Sequence, residues 1–583
     1  MIKRILKSVR EYKIFMILTP ILVILEVMAE TYIPFLVADL IDLGINCGNM
    51  AVIKTMSIKL ILTAIFSLIV GVLAGMTAVI GSNGFAKNLR HDIFYRAQSF
   101  SFQNIDKFST AGIVTRLTTD VTRVQQAYQM STRMAFRAPI MLFFAIMFSY
   151  KLNRQLSAIF LILVPILLIG FGLIVKFALP YVEKAFAVYD ELNRDVEENL
   201  HGMRVVKSFV REDYEKLKFK KISAKIYELY TKSDCLTMLS KPLMMLSTYT
   251  CTLLISWFGA KLIVASGNNS AFGMTTGSLM SFLTYSMQIL MSLMMLTMVV
   301  VMMIMSQASA KRIDQILKEE NTITNPQNPA TDVKNGEIEF KDVSFSYHGK
   351  DGKRHLKDIN LKINSGETVG ILGGTGSSKT TLVQLIPRLY DVTDGAVYVG
   401  GRDVREYDIN SLRDNVSMVL QKNELFSGTI AENLRWGNVN ATDEELKKAC
   451  DMAQATEFID RMPKGIETKI SQGGTNVSGG QKQRLCIARA ILKNPKIIIF
   501  DDSTSAVDTK TDALIQKAMY ESMPTTTKLI IAQRISSIEH ADKIVVMDNG
   551  KISGIGTHSE LLQNNDIYRE VYTSQMKGGD ENE

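Results

Sequence analysis

Cysteine is scarce in this sequence, and the few cysteines are widely separated. The 583 residues include five, at Cys47, Cys235, Cys251, Cys450 and Cys486. None of these spacings is typical of a metal site, so neither a disulfide framework nor a zinc site is indicated. The first residues also lack the short apolar core and small-residue cleavage site of a secretory signal peptide. We therefore expect the first apolar stretch to remain in the mature protein.

Charged residues are almost absent from long stretches of the first half of the chain. Each of these stretches is near or above the ~20 apolar residues that cross a bilayer as a helix. Together they predict six membrane-spanning helices and a multi-pass protein. The stretches are Ile14–Ala38, Leu60–Ile80, Met134–Tyr150, Leu156–Leu179, Leu243–Ala265 and Leu279–Met305.

The net charge of +8 does not indicate nucleic-acid binding, because many basic residues flank the apolar stretches. By the positive-inside rule they place the N-terminus and the second half of the chain in the cytoplasm. The predicted location is thus a bacterial cytoplasmic (inner) membrane, with lipid as a partner. These basic residues are Lys3, Arg4, Lys7, Arg10, Lys13, Arg90, Lys107, Arg116, Arg123, Arg133 and Arg137.

The long apolar stretches end before Glu337, and from there short β-branched runs alternate with helical stretches. Pro326 and Pro329 mark a connecting segment just before this point. The predicted organisation is an all-α membrane domain followed by an α/β domain. Its boundaries are a membrane domain at 1–320, a linker at 321–336, an α/β domain at 337–576 and a polar tail at 577–583.

A glycine-rich loop after the predicted strand 368–372 has the pattern of a phosphate-binding loop. Its N–H groups would surround phosphates, with Lys379 on the β and γ groups and the Thr380 hydroxyl on Mg²⁺. Ser378 stands where the pattern has glycine, which costs about 1 kcal/mol or more if φ must be positive. The loop residues are Gly373, Gly374, Thr375, Gly376, Ser377, Ser378, Lys379, Thr380 and Thr381.

Asp501 ends a second apolar strand, Ile497–Phe500, an arrangement typical of a carboxylate that holds Mg²⁺. Between this strand and the loop lie Gln421 and a Ser-Gly-Gly-Gln run. Together these residues resemble the ATP-binding cassette family. The resemblance implies ATP and Mg²⁺ as ligands, and it assigns adenine stacking to Tyr347, Mg²⁺ sensing to Gln421 and crossing between cassettes to 505–508. The run resembles the signature that caps ATP on an opposite cassette, at Ser478, Gly479, Gly480 and Gln481.

Six helices followed by one cassette further resemble an exporter-type half-transporter. Segments 102–109 and 202–209 resemble the two coupling helices of such proteins. The fold expected from the resemblance is a six-helix exporter domain followed by a cytoplasmic α/β P-loop ATP-binding cassette domain. Rival interpretations are a lipid or peptide exporter and an ATP-sensing membrane protein that transports nothing.

Besides Ser378, the two hydrolytic positions depart from the family pattern. Asp502 replaces the catalytic glutamate and Gln533 replaces the catalytic histidine. A carboxylate with one fewer methylene stops about 1.5 Å short, and a misplacement of ~1 Å can cost ~100-fold in rate. Glutamine donates hydrogen bonds but does not titrate. The alternatives are a slow but working site and a degenerate site in a heterodimer with a second half-transporter that has Glu and His.

Membrane helix 1 carries Glu26 and Glu30, four residues apart and so on one helical face. Carboxylates in mid-bilayer are costly, so the pair either binds cationic or polar substrates or forms a structural hydrogen-bond pair between helices. Helix 6 is rich in methionine, including Met295 and Met298. Thioethers suit a surface for varied hydrophobic ligands, although ordinary packing explains any single one. We expect an exporter of small hydrophobic or cationic drugs.

Overall fold

The protein is described by a computed structural model over residues 1–268, 274–349, 352–502 and 507–580. The chain divides into two compact units. The helical unit comprises Met1–Gln98 and Ser109–Glu319, and the α/β unit comprises Ser99–Phe108 and the chain from Glu320 onward. The α/β unit therefore includes a short piece of sequence from between the second and third long helices.

The helical unit contains six helical runs that are long and apolar enough to cross a membrane. Each predicted stretch lies inside one of them, so the prediction of six membrane helices is confirmed. The runs extend far beyond the apolar stretches, because a helix can continue into water once it leaves the bilayer. They are helix 1, Ile2–Ile45; helix 2, Met50–Gln98; helix 3, Thr110–Leu152; helix 4, Arg154–His201; helix 5, Glu212–Ser266; and helix 6, Thr276–Lys318.

Large apolar side chains point outward from these helices. Ile61, Leu62 and Ile69 on helix 2 are each more than half exposed. Such residues are unfavourable in water and favourable in lipid, which agrees with helices that span a bilayer. Shorter helices lie between the long runs. They are Phe102–Phe108 and Met203–Ser208, the two segments that resemble coupling helices.

The two carboxylates of helix 1 share one arginine. Arg137 Nη1 donates to Glu26 Oε1 at 2.6 Å, and its Nη2 donates to Glu30 Oε2 at 2.5 Å. Arg137 is one of the basic residues interpreted above as flanking the apolar stretches, whereas it lies well inside helix 3. Gly71 of helix 2 gives room for this pair, because a Cβ there would lie 3.1 Å from Glu26 Oε1. This contact agrees with the structural interpretation of the glutamate pair.

The α/β unit is built on two sheets. One is antiparallel with the order β2-β1-β4-β5, and the other has six strands in the order β12-β11-β3-β10-β9-β6. A two-stranded pair, β7-β8, lies apart from both. The strands are β1 Ile338–Phe345, β2 Leu356–Ile363, β3 Thr368–Gly373, β4 Asp394–Val399, β5 Arg402–Asp403, β6 Val416–Val419, β7 Gly428–Thr429, β8 Lys469–Ile470, β9 Ile497–Asp501, β10 Thr527–Ile531, β11 Lys543–Asp548 and β12 Lys551–Gly556.

Helices cover the six-stranded sheet, whose central strands are buried on both faces. Such burial is expected of parallel strands, which need helical crossovers. The main helices of this unit are Lys379–Gln384, Ile409–Asn415, Ile430–Leu434, Asp443–Met452, Thr456–Asp460, Gly479–Leu492, Thr509–Ser522, His558–Asn564 and Asp566–Asp580.

The segment predicted as a linker lies against the α/β unit. Ile323 and Val333 are buried, and Ala330 N–H donates to the carbonyl of Glu406 at 2.9 Å. The segment is therefore anchored to the α/β unit at several points, and two of its side chains join the core. In the predicted polar tail, the last helix continues to Asp580, and residues 581–583 lie outside the described residues.

The Arg137 contact yields a test of its structural role. Arg137→Met leaves two carboxylates without their cation, and breaking a buried ion pair on one side typically costs ~3–5 kcal/mol. We expect a lower unfolding midpoint for the purified protein in detergent, measured by thermal scanning.

The triple variant Arg137→Met, Glu26→Gln and Glu30→Gln removes the charge imbalance, and we expect it to recover most of the lost stability. The control is Arg154→Met, which removes an exposed arginine at the start of helix 4. An unchanged midpoint for Arg137→Met would contradict the structural role of the pair.

Candidate functional site

The candidate site lies at the carboxyl edge of the six-stranded sheet. Strands β3, β10, β9 and β6 run parallel, so the residues that follow them emerge at the same edge. The glycine-rich loop follows β3, Asp502 follows β9, Gln533 follows β10 and Gln421 follows β6. Residues more than a hundred positions apart in sequence are thereby brought together.

A cavity of about 520 Å³ lies at this edge. The loop and the three residues that follow the other strands line it, as do His355 and Val571, which the sequence did not single out. Neither has a motif of its own that could have revealed it. The predicted site residues among the lining are Gly373, Gly374, Thr375, Gly376, Ser377, Ser378, Lys379, Thr380, Thr381, Gln421, Asp501, Asp502 and Gln533.

The loop backbone has the conformation that a phosphate cradle requires. A Cβ at Gly374 or Gly376 would meet no atom within 4 Å, so open space lies in front of both residues. Ser378 has φ 72° and ψ 26°, the left-handed conformation that serine adopts only at a cost. The cost foreseen for this serine is therefore present in the folded loop.

Thr380 and Asp501 form the polar pair that would hold Mg²⁺. The Thr380 hydroxyl donates to Asp501 Oδ1 at 2.8 Å. Burial raises the pKa of Asp501, and the hydrogen bond from Thr380 opposes that rise. A divalent cation beside this carboxylate would favour its ionised form. Hydroxyl and carboxylate oxygens are ligands that Mg²⁺ prefers, so these residues fit the ion.

The ammonium group of Lys379 donates to backbone carbonyls of its own loop. The distances are 2.7 Å to the oxygen of Gly373 and 2.9 Å to that of Gly374. Burial lowers the pKa of Lys379, although the carboxylates of Asp502 and Asp501 act in the other direction. A bound triphosphate would favour the charged ammonium group.

Asp502 and Gln533, the substituted hydrolytic residues, are hydrogen-bonded to each other. Gln533 Nε2 donates to Asp502 Oδ2 at 2.6 Å, and Gln421 Nε2 donates to the same oxygen at 3.3 Å. Asp502 has φ 48°, in the left-handed region. Its carboxylate is thus fixed by two neutral amides at the edge of the cavity.

Tyr347, the predicted adenine-stacking residue, lies beside the loop in an aromatic cluster. Its hydroxyl is 2.9 Å from the Thr381 hydroxyl, and its ring meets those of His355 and Tyr390 edge-on at 5.0 and 5.1 Å. Burial raises the pKa of Tyr347. Tyr347 is not among the residues that line the cavity, and its hydroxyl contact with Thr381 joins it to the loop, so its stacking role stays a prediction.

The helix Phe102–Phe108 contacts this same cluster within the α/β unit. Tyr390 donates its hydroxyl hydrogen to Asp106 Oδ2 at 2.9 Å, and Gln103 Nε2 donates to the carbonyl of Tyr347 at 3.4 Å. Burial and the hydrogen bond with Asp106 raise the pKa of Tyr390 well above its usual range. The segment that resembles a coupling helix therefore contacts both Tyr390 and the main chain of Tyr347, the predicted adenine-stacking residue.

The Ser-Gly-Gly-Gln run begins the helix Gly479–Leu492. The Ser478 hydroxyl accepts from Gln481 N–H at 3.3 Å, and Gln481 Oε1 accepts from Ser478 N–H at 3.0 Å. This capping box leaves the N–H groups of Gly479 and Gly480 without partners inside the helix, as in any helix start. None of these four residues lines the cavity at the phosphate loop.

Two family models match the chain. The ABC transporter transmembrane region matches residues 16–293, and the ABC transporter model matches residues 356–505. An uncharacterized ABC transporter ATP-binding protein of Mycobacterium tuberculosis is 35% identical over 98% of this chain and 97% of that protein. The chain belongs to the ABC transporter family. With one membrane region and one ATP-binding region, it is an exporter-type half-transporter.

Other ABC relatives carry names that state a function. A putative multidrug export ATP-binding/permease protein of Bacillus subtilis is 32% identical over 98% of this chain and 99% of its own length. An ATP-dependent lipid A-core flippase of Desulfotalea psychrophila is 31% identical over 98% and 99%.

The fold has a solved counterpart. A bacterial Atm1-family ABC exporter with ATP bound superposes with a TM-score of 0.80, at 23% identity, over 97% of this chain and 98% of that one. The predicted fold class is confirmed: a six-helix exporter domain precedes an α/β ATP-binding domain. Proteins of this design reside in the bacterial cytoplasmic membrane, and the family implies ATP binding coupled to transport.

The predicted substrate residues belong to the helical unit. Glu26 is buried and bound to Arg137. Met298 is 58% exposed on helix 6, and Met295 is partly exposed. Their role in binding substrate stays a prediction. In the loop predicted to cross between cassettes, residues 505 and 506 lie outside the described residues, and Asp508 caps the helix Thr509–Ser522.

The conformation of Ser378 yields a second prediction. Ser378→Gly removes the side chain that strains a left-handed residue, and we expect it to stabilise the folded loop by about 1 kcal/mol. The measurement is thermal unfolding of the purified full chain, followed at the transition that ATP shifts. The midpoint of that transition should rise by about 2–4 °C.

The control is Thr375→Gly in the same loop, at an exposed residue whose φ is not positive. There glycine adds only freedom to the unfolded chain, so the midpoint should fall. Equal effects of both substitutions would show that strain at Ser378 is negligible.

Proposed function

We propose that this chain is one subunit of a heterodimeric ABC exporter. Its own phosphate loop binds ATP in a degenerate site that hydrolyses slowly, and its signature completes the hydrolytic site of the partner. The partner is a second half-transporter with glutamate and histidine at the two catalytic positions. The hydrogen bond between Asp502 and Gln533 is the observation that carries the proposal.

The chemistry of that hydrogen bond disfavours fast hydrolysis. A general base must lie within hydrogen-bond reach of the attacking water. The Asp502 oxygen Oδ2 is instead engaged by amides of Gln533 and Gln421, and its side chain is one methylene shorter than glutamate. An amide at position 533 can donate to a phosphate, but it cannot accept or return a proton near neutral pH.

The remaining ATP-binding groups argue that the site still binds nucleotide. Lys379, Thr380 and Asp501 line one cavity with an open loop backbone. The signature residues are also present, at the start of a 14-residue helix where backbone N–H groups favour an anion. Substitution of both hydrolytic residues, with Lys379, Thr380 and Asp501 retained, is what a division of labour between two chains predicts.

The substrate proposed for the exporter is a small hydrophobic or cationic molecule. The methionine-rich helix 6 supports a hydrophobic ligand, since several of its thioethers are exposed on the helical unit. The relative named for multidrug export agrees with this class, whereas the relative named as a flippase favours a lipid. Stimulation of ATP hydrolysis by apolar drugs, compared with stimulation by added lipid, separates the two.

A protein that only senses ATP is the remaining alternative. The capped signature and the contact between the helix Phe102–Phe108 and Tyr390 favour a motor, because a sensor needs neither. Uptake of substrate into inverted vesicles should depend on ATP. Uptake that continued without ATP would contradict the motor.

The degenerate site yields a third prediction. The purified chain alone should hydrolyse ATP weakly, because both sites of any homodimer would carry Asp502 and Gln533. The double variant Asp502→Glu and Gln533→His restores a longer carboxylate and an imidazole. We expect its turnover to rise by about 100-fold or more, given the ~100-fold cost of a ~1 Å misplacement. The measurement is steady-state phosphate release.

A matched control identifies the site responsible. Adding Lys379→Ala to the double variant should abolish the gain, because the phosphates then lose their lysine. Robust turnover by the unaltered chain, in the absence of any second half-transporter, would contradict the heterodimer.

A further inference from the structure

The helical unit holds a large cavity whose lining does not include Glu26, Glu30 or Arg137. Its volume is about 520 Å³, within the range of sites that take drug-sized ligands. Its walls come from the N-terminal segment, helices 2, 3 and 6, and the start of the apolar stretch of helix 1. Every lining side chain that the structure describes is uncharged, and most are apolar. The cavity is therefore unsuited to a nucleotide or an ion.

One polar group among these walls lacks a partner. Tyr128 is 9% exposed, its ring stacks on Phe85 at 4.7 Å, and its hydroxyl oxygen is buried without a hydrogen bond to any described residue. Leaving a buried hydroxyl unpaired is unfavourable, and native structures rarely do so without a reason.

The other lining hydroxyls are already used. Ser131 donates to the carbonyl of Ala127 at 2.6 Å, Thr132 to that of Tyr128 at 3.0 Å, and Ser306 to that of Met303 at 2.9 Å. Each of these bonds stays within its own helix. Tyr128 thus differs from the other described hydroxyls of the lining in retaining a free donor.

The N-terminal wall of the cavity is held in place on two sides. Arg4 Nη1 donates to Asp314 of helix 6 at 2.7 Å. Ser8 donates to Asp92 of helix 2 at 2.6 Å, and Arg10 pairs with the same carboxylate. The side chain of Ile5, between these tethers, is buried and lines the cavity. Hydrogen bonds and ion pairs therefore hold this wall of the cavity against helices 2 and 6.

The position of the cavity favours a ligand that arrives from lipid. Met16 and Phe136 line it, and both lie near the cytoplasmic starts of the apolar stretches of helices 1 and 3. Apolar molecules partition into this part of a bilayer, where a site with uncharged walls can receive them without removing charges from water.

We propose that this cavity binds an uncharged, apolar molecule of drug size that carries a hydrogen-bond acceptor, with Tyr128 as the donor. The proposal rests on the proposed export only for the further claim that the bound molecule is a substrate. Binding itself requires neither ATP nor a partner subunit. Its failure can therefore be distinguished from failure of the heterodimer.

Benzophenone is a suitable probe, because it is apolar and uncharged, has one carbonyl acceptor, and forms a covalent bond to nearby C–H groups under near-ultraviolet light. The full chain in lipid nanodiscs, without nucleotide, is irradiated over a range of probe concentrations. Labelled peptides are quantified by mass spectrometry. We expect saturable labelling of peptides that contain Met16 and Met303, both of which line the cavity.

Three variants test the assignment. Tyr128→Phe keeps the ring and removes the donor. It should raise the half-saturating probe concentration about 5-fold, as expected for the loss of one hydrogen bond. Ala127→Phe fills the cavity and should abolish saturable labelling. Ala29→Phe is the matched control, because Ala29 is a buried alanine that lines a separate cavity beside Tyr32 and Phe148. Thermal scanning confirms that each variant is folded.

If Ala127→Phe does not fold, Ala310→Phe fills the same cavity from helix 6. Labelling that rises linearly with probe concentration and spreads over the outward faces of the helices would overturn the proposal. Labelling equally reduced by Ala29→Phe would overturn the location. Saturable labelling unchanged in Tyr128→Phe would overturn the role of the hydroxyl.

Discussion

The parallel register of three strands is the constraint on which the nucleotide site depends. Ile531 of β10 pairs with Ile371 of β3 on one side and with Asp501 of β9 on the other. This pairing brings the loop, the two carboxylates and Gln533 to one edge. A slip of one residue would turn Asp501 to the opposite face of the sheet and separate it from Thr380. Hydrogen bonds between main chains thus set the distances on which binding of phosphate depends.

Features encoded in short stretches of sequence could be predicted, because their cause is local. Six long apolar runs form helices in lipid, because each backbone polar group there needs a partner within its own segment. A phosphate-binding loop can be recognised from its glycine-rich pattern between a strand and a helix. The hydrogen bond from Gln533 to Asp502 could not be read from the sequence, since it depends on two adjacent strand ends meeting. Likewise Arg137 lies 111 positions from Glu26, and only the packing of helices 1 and 3 joins them.

Buried charged groups are compensated differently in the two units. In the membrane helices, Glu26 and Glu30 are compensated by an arginine, and Asp120 is compensated by Arg312 at the cytoplasmic ends of helices 3 and 6. At the nucleotide site, burial shifts the pKa values of Lys379 and Asp501 toward their neutral forms. The first arrangement stabilises the fold without a ligand, whereas the second gains stability when phosphate and a cation bind.

The short helix Phe102–Phe108 is separated by more than two hundred residues from the rest of the unit to which it belongs. No single cut in the gene therefore yields the complete α/β unit. A fragment that begins near Glu320 would lack Asp106, which accepts the hydrogen bond from Tyr390. It would also lack Phe102, whose ring centre lies 6.1 Å from that of Tyr390, and the Tyr390 ring would be open to water on that side. Measurements of ATP hydrolysis on such a fragment would therefore describe an α/β unit that lacks part of its surface.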